Sequence, residues 1–195
     1  MSESSVLAES IELTETEQRN LRAVTDVLQY WNRQDARGVV AFYDENIVWR
    51  NVAMEETYQG TAEVKAFLDG LFTAFPDLSF EVTYKIARGV NVSEQWCIRG
   101  THLGTYFGVP ATGRPIVILG ISMVEMHDGK FLRDEFYFDA GSIMRQMGLL
   151  PPLSVGKTRL GRGMLWLLVH RRPVAPGLAI AGLAGLAVRL LRRRR

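Results

Sequence analysis

The hydrophobic period of this chain switches at Pro76, and few folds accommodate that switch. Before it, Val64, Phe67, Leu68, Leu71, Phe72 and Phe75 recur at i, i+3, i+4, i+7, i+8 and i+11, the spacing of one apolar helix face. After it, Leu78, Phe80, Val82, Tyr84 and Ile86 alternate with Ser79, Glu81, Thr83 and Lys85, the pattern of a strand with one wet face. Upstream, Thr14 and Glu17 have capping-box spacing ahead of Leu21, Val24, Leu28 and Trp31, which predicts a helix to about Arg33. Asp35 is placed to cap a short second helix carrying Val39, Phe42 and Tyr43. Ile47 to Val52 reads as a strand, and Thr61 as the cap of the helix that Pro76 stops. Downstream, strands are predicted at about Ser93–Leu103, Pro115–Met126 and Lys130–Phe138. A Gly/Pro loop from Gly104 to Arg114 and a tight turn at His127, Asp128 and Gly129 separate them. Asp139 then caps a last helix through Ile143, Met144 and Met147, which Gly148 ends.

Helices followed by an antiparallel run describe an α+β domain, not a doubly wound parallel sheet. A mainly antiparallel sheet that must bury one face against three early helices should curl around them, giving a cone with an apolar pocket. The expected organisation is a Ser/Glu-rich acidic leader over 1–13, the cone over 14–150, and a linker with a basic hydrophobic tail over 151–195.

Charge divides the chain in the same place. The total of 23 Lys and Arg against 21 Asp and Glu gives +2, yet the ten basic residues from Ser154 onward meet no acid, leaving 13 against 21 before them. An acidic body excludes a basic nucleic-acid binder. In the tail, Met164–Val169 and Val174–Val188 are apolar, separated by His170 to Pro173 and followed by Arg192 to Arg195. The second run, 15 residues long, lies at the border of what spans a bilayer. Aliphatic runs between cations suit lipid better than phosphate, so the expected partner of residues 154–195 is a membrane surface, not nucleic acid. A single cysteine, Cys97, excludes an internal disulfide. His102, His127 and His170 lie too far apart for a zinc site of usual spacing, and the first residues lack the basic and apolar regions of a secretory signal. A cytoplasmic, metal-free and cofactor-free domain is expected.

Gly100 to Ile116 (GTHLGTYFGVPATGRPI), Asp128 to Lys130 (DGK) and Asp139 to Gly148 (DAGSIMRQMG) resemble the SnoaL-like polyketide cyclases and ester cyclases. These belong to the nuclear-transport-factor-2-like cone superfamily. The resemblance spans roughly Leu21 to Leu150 and implies the cone, a small apolar ligand and a homodimer. A second resemblance, to limonene epoxide hydrolases, runs through Trp49, Asn51, Gly70 to Phe75, Arg99 and Tyr137-Phe138-Asp139. There an aromatic residue and an Asn orient a water that an Asp-Arg-Asp arrangement activates. In this chain the Asp two residues after Arg99 is Thr101, and the second falls at Phe136. Aligned on DGK, the catalytic Asp of the SnoaL-like enzymes also falls at Phe136 and its supporting His at Ser122. A Phe cannot accept a proton.

Alternation suggests a replacement. If Phe136 faces the pocket, so do Asp134 and Phe138, and by the same reasoning Arg99, Thr101, Ser122, Trp49 and Asn51. Asp134, desolvated among Trp49, Phe136 and Phe138 and countered by Arg99, is the candidate general base; a structural Asp134–Arg99 ion pair is the alternative. Asp139 is a helix cap or a catalytic acid. His102 is a sheet or interface residue facing away from Arg99, or a functional one. Tyr30, Trp31, Phe67 and Leu71 belong to a surface in which core and pocket wall are continuous. Two enzymatic readings follow, a cyclase or isomerase and an epoxide-hydrolase-like one, beside a non-catalytic ligand-binding or scaffold domain.

Overall fold

Thr14 opens the first helix as predicted. Its hydroxyl accepts from Glu17 N while Glu17 Oε2 accepts from Thr14 N (2.8 Å), closing the capping box, and α1 runs Glu15–Trp31. In this computed structural model residues 12–169 are described. Residues 1–11 of the expected acidic leader and everything from His170 onward, including the second apolar run and the terminal arginines, lie outside them. The described residues fall into two compact units, divided between Leu150 and Pro151.

In the first unit, α2 (Ala36–Val40) starts at Asp35, whose carboxylate accepts from Gly38 N. β1 (Tyr43–Asn51) begins earlier than its apolar pattern suggests. It pairs with a short strand, β2 (Glu56–Gln59), that carries no sequence signal of its own. α3 spans Gly60–Ala74. The expected cap at Thr61 is corrected. The cap is Gln59, two residues sooner, because Gly60 takes a φ of 74° and Glu63 reaches back to accept from Gln59 N at 2.7 Å. β3 (Ser79–Arg88), β4 (Asn91–Thr101), β5 (Pro115–His127) and β6 (Lys130–Phe138) follow as an antiparallel meander. Asp128 and Gly129, at φ 47° and 77°, make the β5–β6 turn.

The sheet order is β2-β1-β6-β5-β4-β3, and β1 lies parallel to β6. One mixed, mainly antiparallel sheet results. Register shifts in the β1–β6, β3–β4 and β5–β6 pairs bend it. Its concave face is covered by α1 against β3 and α3 against β1, burying Val24, Val27, Val64, Leu68 and Phe75 in one core. Asp139 caps α4 (Ala140–Gln146), accepting from Ser142 N at 2.9 Å, and Gly148 leaves it at φ 81°.

The second unit contains a 3-10 turn at Leu153–Lys157 and α5 (Arg159–Val169). Among the described residues no helix is long and apolar enough to cross a membrane.

Candidate active-site cavity

The inner face of the sheet can be read as rows of cross-strand neighbours. One row is Val92, Val124, Asp134 and Trp49; the next is Glu94, Ser122, Phe136 and Asn51; a third sets Trp96 against Gly120 and Phe138. These rows floor a cavity that α1 and α3 roof with Val24, Val27, Trp31, Phe67 and Leu71. The space between them, about 810 Å³ including volume open to solvent, is lined chiefly by apolar side chains. Aromatic rings make up nearly half of its lining. Trp49 packs on Phe136 at 4.5 Å and on Phe67 at 5.1 Å, and Trp31 stacks on Phe80 at 4.9 Å.

Asp134 is 5% exposed. Its Oδ2 accepts from the Trp49 indole N–H at 2.9 Å, and its Oδ1 has no partner among the described residues. Burial pushes its pKa up to about 7, against the opposing effects of the Trp49 N–H and the neighbouring Ser122 hydroxyl. Glu94, which lines the same cavity, is pushed up to about 8, chiefly by burial and then by the charge of Asp134, with Lys85 acting the other way. Tyr43 completes the acidic group, its phenol raised well above the usual range by burial and by both carboxylates. Asn51 Oδ1 accepts from Met54 N at 3.2 Å, leaving Nδ2 buried and unpartnered among the described residues. Ser122 Oγ accepts from Trp96 Nε1 at 3.0 Å. No Lys, Arg or His is among the described residues that line the cavity.

Of the residues named from sequence, Asp134, Trp31, Trp49, Asn51, Phe67, Leu71, Ser122, Phe136 and Phe138 line this cavity. The expectation for Arg99 is corrected. On β4 the inward residues are Val92, Glu94, Trp96 and Ile98, so Arg99 faces outward, where it pairs with the exposed Glu81 at 3.5 Å. The structural Asp134–Arg99 pair falls with it. Thr101 shares that outer parity and donates from N and Oγ1 to Asp77, both at 2.7 Å. His102 is fully buried against Phe75, and its Nδ1 accepts from Thr112 N at 3.3 Å, so it anchors the 102–114 loop instead of lining the cavity. Burial holds its pKa below the ordinary value of 6.5. Asp139 caps α4 and meets Arg145 at 3.0 Å. Tyr30 packs on Phe42, outside the cavity wall.

Glu94 and Tyr43 were the residues missed. The signal for Glu94 was present, since it stands two before Trp96 in a strand. The choice of Arg99 as an inward residue assigned it the wrong parity.

The family described as SnoaL-like polyketide cyclase matches residues 21–147 of the chain. No curated protein matches it by sequence. Among solved structures, AclR from Streptomyces galilaeus superposes with a TM-score of 0.62 at 23% identity, covering 69% of this chain and 99% of that one. A SnoaL-like protein from Jannaschia gives 0.65 at 19% identity over 72% and 99%. TsrD from Streptomyces laurentii gives 0.61 at 21% over 71% and 100%. At these identities the likeness is one of fold.

Proposed function

The chain belongs to the SnoaL-like polyketide cyclase family, and from that premise we propose that its cavity binds a small, largely apolar ketone or ester of polyketide, terpenoid or lipid type and cyclises or isomerises it without a cofactor. The observation that carries this reading is the free Oδ1 of Asp134, buried in an apolar cavity with its other oxygen held by Trp49. A carboxylate poised near neutral pH is suited to remove a proton next to a carbonyl. The C–H bond breaks, the proton goes to Oδ1, and the electron pair moves onto the carbonyl oxygen. The resulting enolate either attacks a second carbonyl of the same molecule, closing a ring, or takes the proton back at another carbon.

Arg99 was the expected enolate partner. The unpartnered Nδ2 of Asn51 and the Tyr43 hydroxyl, both on the cavity wall, take that role as donors. In the family alignment Phe136 stands where the catalytic Asp would be, directly across from Ser122 in place of the His. The carboxylate has moved one row along the same face, from 136 to 134. Water activation on an epoxide has less support, because the Trp49 N–H is already engaged by Asp134 and Thr101 by Asp77.

Phe136 also motivates the non-catalytic reading, a pocket that kept its ligand and lost the chemistry. An Asp134→Asn variant separates the two after a panel of ketones and esters has been screened by thermal shift. Catalysis predicts a loss in turnover of about 100-fold or more with affinity kept. Unchanged turnover, or binding with no turnover in the wild type, selects the binding module.

Two features of assembly accompany this reading. The exposed Val117, Leu119, Ile121 and Met123 on the outer face of β5, with Tyr137 on β6, support a homodimer formed through the sheet. The cationic, aliphatic segment from Ser154 supports association with an anionic membrane surface.

A further inference from the structure

Glu94 takes no part in the proton transfer above, yet it is buried at 7% exposure in the same cavity. A leucine there would avoid the cost of desolvating an acid, so the carboxyl needs a reason. Among the described residues none forms an ion pair with it. Lys85, its cross-strand partner on β3, lowers the Glu94 pKa through its charge, but its ammonium donates to Leu21 O on α1 at 3.0 Å and to Thr25 Oγ1. The groups facing Glu94 from the packed elements are Asp134 on β6, Ser122 on β5, Tyr43 on β1 and Lys85 on β3.

The rest of the surroundings also favours positive charge. Trp96 lies two residues along the same face, Phe80 packs on it at 5.8 Å, and Trp31 stacks on Phe80. Ring faces carry the negative end of the aromatic quadrupole and attract an ammonium ion, more so when water is excluded. Two acids, the Trp31–Phe80 stack with Trp96 tilted beside it, and no base among the described lining residues make a cavity whose complement is a cation and whose worst fit is an anion.

We propose that the ligand of this cavity carries a protonated amine or quaternary ammonium group, seated between the Glu94 carboxylate and the rings of Trp31, Phe80 and Trp96. The inference rests on the proton-transfer reading, in that Glu94 anchors the cation and leaves Asp134 to move the proton. A bound cation favours the ionised form of Glu94. Binding below about pH 8 therefore releases a proton, and affinity rises as the pH approaches that value.

The test uses the full chain and three compounds with one apolar body: phenylbutylamine, phenylbutanol and phenylbutyrate, titrated calorimetrically. The amine should bind about tenfold or more tightly than the alcohol, and the acid weakest. A Glu94→Gln variant should lose the advantage of the amine while keeping its affinity for phenylbutanol, which reports that the cavity is intact. Equal binding of the three compounds, no binding of the amine, or a preference that survives Glu94→Gln overturns the proposal. Should the variant not fold, the comparison of the three compounds on the wild type decides alone. Turnover by Asp134→Asn tests the other reading separately: an intact amine preference beside unimpaired turnover removes Asp134 as the base and leaves this inference standing.

Discussion

Burying Asp134 and Glu94 removes their hydration, and each responds by holding its proton to a higher pH. In an unfolded chain both would ionise in the ordinary carboxylate range. The folded state therefore binds more protons between that range and about 8, and stability falls as the pH rises through the window, the reverse of a salt-bridged carboxylate. His102 acts with the opposite sign up to 6.5, since its folded pKa is depressed. The test is accordingly a difference between proteins. Melting temperature should fall more steeply for the wild type than for Asp134→Asn as pH rises from about 5 to about 8, the underlying stability difference changing by about a few kcal/mol at most. Parallel curves would mean that Asp134 is not desolvated. At this scale the sequence revealed Asp134 through its parity with Phe136 and Phe138. Glu94 shares parity with Trp96, but Trp96, Cys97 and Ile98 are consecutive apolar residues that are all buried, so β4 does not announce which face is inner and the signal went unread.

Element by element, local chemistry was the reliable guide. The capping box at Thr14 and Glu17, the Asp35 cap and the Asp139 cap all form from residues within a turn of one another. Glu17 goes further, accepting from Gly89 N at 2.8 Å and so tying α1 to the β3–β4 turn. Asp139→Ala should cost about 1 kcal/mol in urea denaturation, the usual value of an N-cap, with ligand affinity unchanged. A loss of affinity without a loss of stability would return Asp139 to the site. Gly120 makes a stricter demand. A Cβ there would come within 2.2 Å of the Trp96 ring, so Gly120→Ala should displace the indole from Ser122 and destabilise the chain by about 1–3 kcal/mol. Near-neutral stability would show that the ring can move aside. The short β2 escaped notice because four residues, Glu56 to Gln59, carry too little alternation to stand out from a loop.

For the molecule as a whole, the division between Leu150 and Pro151 coincides with the change in charge. A chain ending at Leu150 should keep the melting temperature and ligand affinity of the full chain and remain dimeric in analytical ultracentrifugation. Only the full chain should sediment with anionic phospholipid vesicles. Equal vesicle binding by both would dismiss the tail as the membrane-binding part, and a monomer at micromolar concentration would dismiss the sheet-face dimer.

Sequence alone determined the order of elements apart from β2, the switch from helical to strand period at Pro76, the caps at Thr14, Asp35 and Asp139, and the inward parity of β6. Each depends on residues close together along the chain. Tertiary structure decided that β1 runs beside β6, which brings Trp49 onto Asp134 across 85 positions. It also decided that Glu94, and not Arg99, enters the cavity. The physical reason is that a strand has two chemically equivalent faces until something packs on one of them. The helices of the first half make that choice, and they do so at a distance along the chain that no local pattern spans.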